Sequence, residues 1–185
     1  MSEAKDFDAL KELTQRVSAM DDQEAIAAVE EAIRRSPGSA RLHFLRGSLF
    51  AEDGDYPKAL ADFQAATDLA PDFPIARFQL GLLELCFGRS ERAREIWRPL
   101  DQLDENDCLR LFKEGLCHLA DERLQEGVDR LQAGQAMNRA FPPLNRDMQL
   151  LIDRSLERLQ KGESRSAEQD LHVLLAGYLG GSTRH

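Results

Sequence analysis

The chain has 185 residues, with 24 basic against 33 acidic side chains and a net charge of −9. That balance disfavours a nucleic-acid partner, because phosphate binding needs clustered Lys and Arg. No apolar run approaches the ~18 residues of a membrane span and the start, MSEAKDFDAL, has no apolar signal core, so no membrane association is expected and a cytoplasmic location is the default.

Landmarks recur at an interval of 34 residues: Gly47, Gly81 and Gly115; Ala25, Ala59, Ala93 and Gly127; Val29, Phe63, Trp97 and Leu131; Pro37 and Pro71. A period of this length marks stacked helix–turn–helix units. The expected units are about 6–39, 40–73, 74–107 and 108–141, followed by C-terminal capping helices and a short tail over 142–185.

In the first unit Phe7, Leu10, Leu13 and Val17 form the apolar stripe of one helix. Asp21 or Asp22 caps the next, which carries Ala25, Ile26, Val29, Ala32 and Ile33 until Ser36-Pro37-Gly38 ends it. The second unit has Ser39 as a candidate N-cap and Gly47 where two helices approach. Asp53-Gly54-Asp55 is its turn, and Asp55 and Pro57 start its second helix.

The third unit opens at Pro74 and holds Leu80-Gly81, Gly88, Ala93, Trp97 and Leu100. Pro99 breaks the pattern late in its second helix, so a kink near Arg98 and an irregular segment through Asp107 are expected. The fourth unit has Leu111, Phe112, Gly115, Leu116 and Leu119 on its first helix. Glu122 stands in the turn where the two preceding units have glycine. Gly127 and Gly134 lower the helix propensity of its second helix by about 1 kcal/mol each, which marks that helix as the least stable.

Phe141-Pro142-Pro143 punctuates the chain before an amphipathic helix with Leu144, Met148, Leu151, Ile152, Ser155, Leu156 and Leu159 on one side and Arg158 elsewhere. Gly162 stops it. A capping box at Ser166–Gln169 then starts a last helix with Leu171, Leu174, Leu175 and Tyr178.

These units resemble tetratricopeptide repeats, whose pattern asks for a large residue, Leu-Gly, an aromatic, Ala, a second aromatic and a closing Pro. The second unit supplies Gly47, Phe50, Ala59, Phe63 and Pro71 but has Arg46 where Leu is usual. The third supplies Leu80, Gly81, Ala93 and Trp97 but has Glu84 at the aromatic position. The resemblance implies an all-α, right-handed α-solenoid in which the first helix of each unit lines a concave groove that holds a protein or peptide.

Carried over position by position, the groove would be lined by Leu10, Phe44, Phe78 and Phe112, with Ser48, Leu82 and Leu116 on one side and Leu45, Gln79 and Lys113 on the other. Three accounts of the phenylalanines stay open. They face a ligand, they pack between neighbouring helices, or the groove is filled by the last helix at residues 166–179. A Lys/Asn clamp for a C-terminal carboxylate is absent, since its positions hold Phe44 and Ser48, or Leu10 and Thr14.

Catalytic chemistry finds no purchase. There is no phosphate loop, H-E-x-x-H or CxxC, and His43, His118, His172 and His185 are scattered. The odd set Cys86, Cys108 and Cys117 fits neither a disulfide framework nor a metal site. The expectation is a non-catalytic interaction scaffold or chaperone-like adaptor with no cofactor or metal. The alternatives are a homo-oligomeric assembly module built on the C-terminal helices, and a secretion-type chaperone.

Overall fold

A computed structural model of the chain describes residues 12–162, and among them no strand occurs. The packing divides the chain into two compact units at the Ala76–Arg77 bond.

The first unit holds helix α1, described over residues 12–17, then α2 (Asp22–Arg35), α3 (Ala40–Glu52) and α4 (Tyr56–Leu69). The Asp21 carboxylate accepts the Glu24 N–H at 2.9 Å and fixes the start of α2. Asp55 does the same for α4 through the Lys58 N–H at 3.3 Å, with Pro57 in the first turn where no donor is needed. Ser39 occupies the N-cap position of α3 in extended conformation, but its hydroxyl makes no capping bond. Val17, Ala25 and Val29 form a buried cluster, with Leu13, Met20, Ile33, Leu45 and Leu49 packed around it. Helices α3 and α4 meet at Gly47, where a β-carbon would lie 2.9 Å from the Phe63 ring.

Helix α5 (Pro74–Cys86) crosses the division. The second unit continues through α6 (Ser90–Trp97), a 3-10 helix (Arg98–Gln102), α7 (Cys108–Ala120), α8 (Leu124–Met137) and α9 (Pro142–Lys161). The α-helix before Pro99 stops at Trp97, and the chain tightens into the 3-10 turn. Loss of the proline N–H and its clash with the preceding turn account for that break. The Arg110 guanidinium closes the segment, donating to the carbonyls of Asp101 at 3.2 Å and Leu103 at 2.9 Å. Asp107 then caps α7 by accepting the N–H of Leu109 at 2.8 Å.

The glycines of α8 have a packing cause that helix propensity hides. A β-carbon at Gly134 would fall 2.5 Å from the Phe112 ring, and one at Gly127 would fall 2.4 Å from Leu119. Each absent side chain lets α7 seat a large residue directly on the α8 backbone. Reading this helix as the weakest of the set therefore counted the propensity cost without the contact it permits.

Helix α9 buries Leu144, Met148, Leu151, Ile152, Ser155 and Arg158, and Gly162 ends it at φ 62°. The expected stripe is corrected at its far end: Leu159 is exposed and Arg158 is buried. Among the described residues no helix is long and apolar enough to cross a membrane. The expected capping box and last helix at 166–179, and Leu10 of the expected groove, lie outside the described residues.

Candidate interaction site

In the first unit Phe44, Leu45 and Ser48 are half-buried on α3. The Phe44 ring lies edge-on to Phe73 with centroids 5.3 Å apart and tilted over Phe63 at 5.6 Å. The Ser48 hydroxyl donates to the Phe44 carbonyl at 3.0 Å, so its donor is used within its own helix.

In the second unit Phe78, Leu82, Phe112 and Leu116 are all buried to 1 % exposure or less. Phe78 stacks on Trp97 at 5.9 Å and meets Phe112 at 6.3 Å. Phe112 also fills the space left by Gly134. These four residues are thus corrected from groove lining to core. Their contacts fit the account in which the rings pack between neighbouring helices, because a ring seated on a glycine backbone loses close contacts wherever else it goes.

Gln79 and Lys113, one repeat period apart, stay half-buried. Lys113 pairs with Asp101 of the 3-10 helix. It borders an open crease of about 420 Å³ between α6, the 3-10 segment and α7, lined by Glu91, Arg94, Glu95, Arg98, Cys117 and His118 among others. Arg94 in that crease donates to Asp121 at 2.6 Å. Burial raises the Cys117 thiol above its ordinary pKa, with smaller opposing effects from Arg94 and Lys113. A protonated thiol is a poor nucleophile.

Two buried carboxylates, Asp62 and Glu84, organise charge clusters that the repeat pattern alone does not predict. Asp62 on α4 accepts from Arg46 Nε at 2.7 Å and Nη2 at 2.8 Å, and lies 3.0 Å from His43 Nδ1. The Asp62 bond raises the Arg46 pKa above its ordinary value against the cost of burial. Glu84 on α5 accepts from Arg89 at 2.7 Å and Arg92 at 2.8 Å. Arg46 and Glu84 both stand where the repeat pattern asks for an apolar residue. The signal was present, since each charge placed at an apolar position arrives with its counter-charge on the helix it faces.

Residues 23–72 and 49–98 match the family model of the tetratricopeptide repeat. Residues 23–98 are tetratricopeptide repeats. The fold of the chain is all-α, an α-solenoid of that family, and solved structures agree. The segment of MamA from residue 41 to its end, from Desulfovibrio magneticus RS-1, superposes with a TM-score of 0.60 at 16% identity, covering 96% of this chain and 97% of that one. The ArsTM double mutant of MamA RS-1 gives 0.59 at 17% identity over 96% and 97%. YrrB, described as a TPR protein with an unusual peptide-binding site, gives 0.55 at 16% identity over 94% of this chain and 84% of that one. At these identities the likeness of this chain to all three is one of fold.

Proposed function

We propose that this chain is a non-catalytic interaction scaffold of the cytoplasm that holds a protein or peptide segment, acting as an adaptor or chaperone. The repeat match over residues 23–98 is the observation that carries the reading, and the peptide-binding site named for YrrB accompanies it. On this reading four repeats over about 6–141 precede capping helices over 142–185.

The contact residues are the half-buried ones. In the first unit they are Phe44, Leu45 and Ser48; in the second they are Gln79 and Lys113 beside the mixed-charge crease. Phe78, Leu82, Phe112 and Leu116 support them from behind, as their burial implies. A partner at the second unit is expected to bring polar and charged groups, because the crease carries both signs of charge.

Panning a peptide library against the full chain tests this. Enriched peptides should lose affinity on K113E and Q79A, with the circular dichroism of the chain unchanged. A library that yields no binder, together with a concentration-dependent mass in light scattering, would move the role to homo-oligomeric assembly.

A further inference from the structure

Helix α7 grips a segment of its own chain. Arg110 Nη1 donates to the backbone carbonyls of Asp101 at 3.2 Å and Leu103 at 2.9 Å, and Lys113 Nζ donates to the Asp101 carboxylate. Two cations one turn apart on α7 thus hold the short stretch that follows Pro99. Charge-assisted bonds to carbonyls and to a carboxylate are the strong polar contacts a helix can offer a bound peptide. Here the stretch that takes them belongs to the chain itself.

The two contacts differ in how easily they are exchanged. The carbonyls on Arg110 belong to a backbone pinned by Leu100, which is 2% exposed. The Lys113 side chain is 14% exposed, and that of Asp101 is 45% exposed. Among the described residues no other carboxylate pairs with Lys113. Neighbouring Glu114 is engaged by Arg110 at 3.1 Å and Arg130 at 3.5 Å. A largely buried ammonium keeps a counter-charge, but a half-exposed carboxylate that supplies it turns into water at little cost. Asp101 is therefore replaceable by another carboxylate.

The open crease of about 420 Å³ beside the pair gives one room to enter. Arg98 lines the same crease, is exposed, and makes no hydrogen bond or ion pair among the described residues. Side chains three apart on a 3-10 helix eclipse, so Arg98 stands on the side of Asp101. On α6, Glu91 and Glu95 share one face of the crease and have no ion-pair partner either among the described residues.

We propose that Asp101 is a built-in stand-in for an acidic side chain of the partner. This rests on the reading of Lys113 as a contact residue. In the free protein Asp101 holds Lys113. On binding, an aspartate or glutamate of the partner takes its place, with Arg98 beside it, and Asp101 turns out to solvent. The unpaired Glu91 and Glu95 take a basic residue of the same segment. The occupant is thus a peptide segment with one acidic and one basic residue, the acidic one at the Lys113 end. Asp101 weakens every acidic partner by competing with it, and it denies Lys113 to a partner that brings no carboxylate.

NMR titration of the full chain tests this with a short acetylated, amidated peptide that holds one aspartate and, a few residues on, one arginine. The same peptide with asparagine is the control. D101N frees Lys113 and keeps the backbone that Arg110 holds. The aspartate peptide should bind D101N about threefold to fivefold tighter than wild type, and the asparagine peptide should gain nothing. Adding K113Q to D101N should abolish the gain. Affinity that D101N leaves equal or lowers overturns the stand-in, as does a gain that survives K113Q or that the asparagine peptide shares. Library peptides that lose affinity on K113E, beside an aspartate peptide that gains nothing on D101N, overturn the stand-in and leave the scaffold reading standing. Where no library peptide binds wild type, the scaffold reading falls; the aspartate peptide binding to D101N still upholds the stand-in, and no binding there overturns it too.

Discussion

Gly81 stands against the face of Trp97, so close that a β-carbon on residue 81 would lie 2.2 Å from the indole nitrogen. That nitrogen donates to the Phe78 carbonyl at 3.0 Å, which keeps the ring from swinging aside. The pair fixes how α5 meets α6. A methyl group at Gly81 must therefore push whole elements apart. We expect G81A to cost about 1–3 kcal/mol, read from denaturant unfolding followed by the fluorescence of Trp97. Gly38, where a β-carbon meets nothing within 4 Å, supplies the control. G38A should stay within about 0.5 kcal/mol of wild type. Equal losses at the two sites would contradict the packing account.

Phe112 and Phe44 occupy the same position of two repeats but differ in burial. Phe112 is enclosed, and Phe44 is half-buried. F112A should lose about 3–5 kcal/mol as a cavity opens beside Gly134. F44A should lose clearly less, since its ring already spends part of its surface in water. A calorimetric comparison of the two melting temperatures separates core from accessible positions, and a greater loss at Phe44 would contradict the assignment.

The two buried carboxylates differ in what they would leave behind. The Arg46 and His43 side chains are 22% and 14% exposed, so removing Asp62 leaves a largely buried cation with only the more distant Glu30 carboxylate, 3.8 Å from Arg46. D62A should cost about 3–5 kcal/mol. Arg89 and Arg92 are 54% and 56% exposed, and after E84A they swing out into solvent. That loss should be near 1 kcal/mol, of the order of a surface pair. Urea midpoints rank the two, and the reverse order would sink this account.

Burial raises the Cys86 thiol from the ordinary 9.0 to about 12, with Asp147 adding a smaller push in the same direction. The folded state thus holds its proton more tightly than the unfolded chain does. The sign follows: this stabilising contribution is fully present below pH 9.0 and is lost progressively as pH rises from there towards about 12. C86A should flatten that part of the stability curve in alkaline unfolding titrations. Half-buried Cys117 should react with an alkylating reagent before buried Cys86 and Cys108, and mass spectrometry of partly labelled chain gives the order.

The repeat architecture was legible in the sequence because a period of 34 residues returns equivalent side chains to equivalent places, and packing cannot scramble that. Helix starts at Asp21 and Asp55 and the break at Pro99 were legible for a similar reason: each is decided by the bonds of one or two neighbouring residues. Whether Phe78 and Phe112 face a partner or a neighbouring helix was not legible. Burial of a side chain depends on what the next helix presents, and Trp97 and Gly134 lie 19 and 22 residues further along the chain. Glu122 is the sharpest case. Its place in a glycine turn could be read from the sequence, but the arginine that holds it arrives 36 residues later on α9. Local chemistry and periodicity alone determined which helices form and in what order. Only tertiary structure decided which faces they spend on each other, because a contact belongs to two surfaces at once.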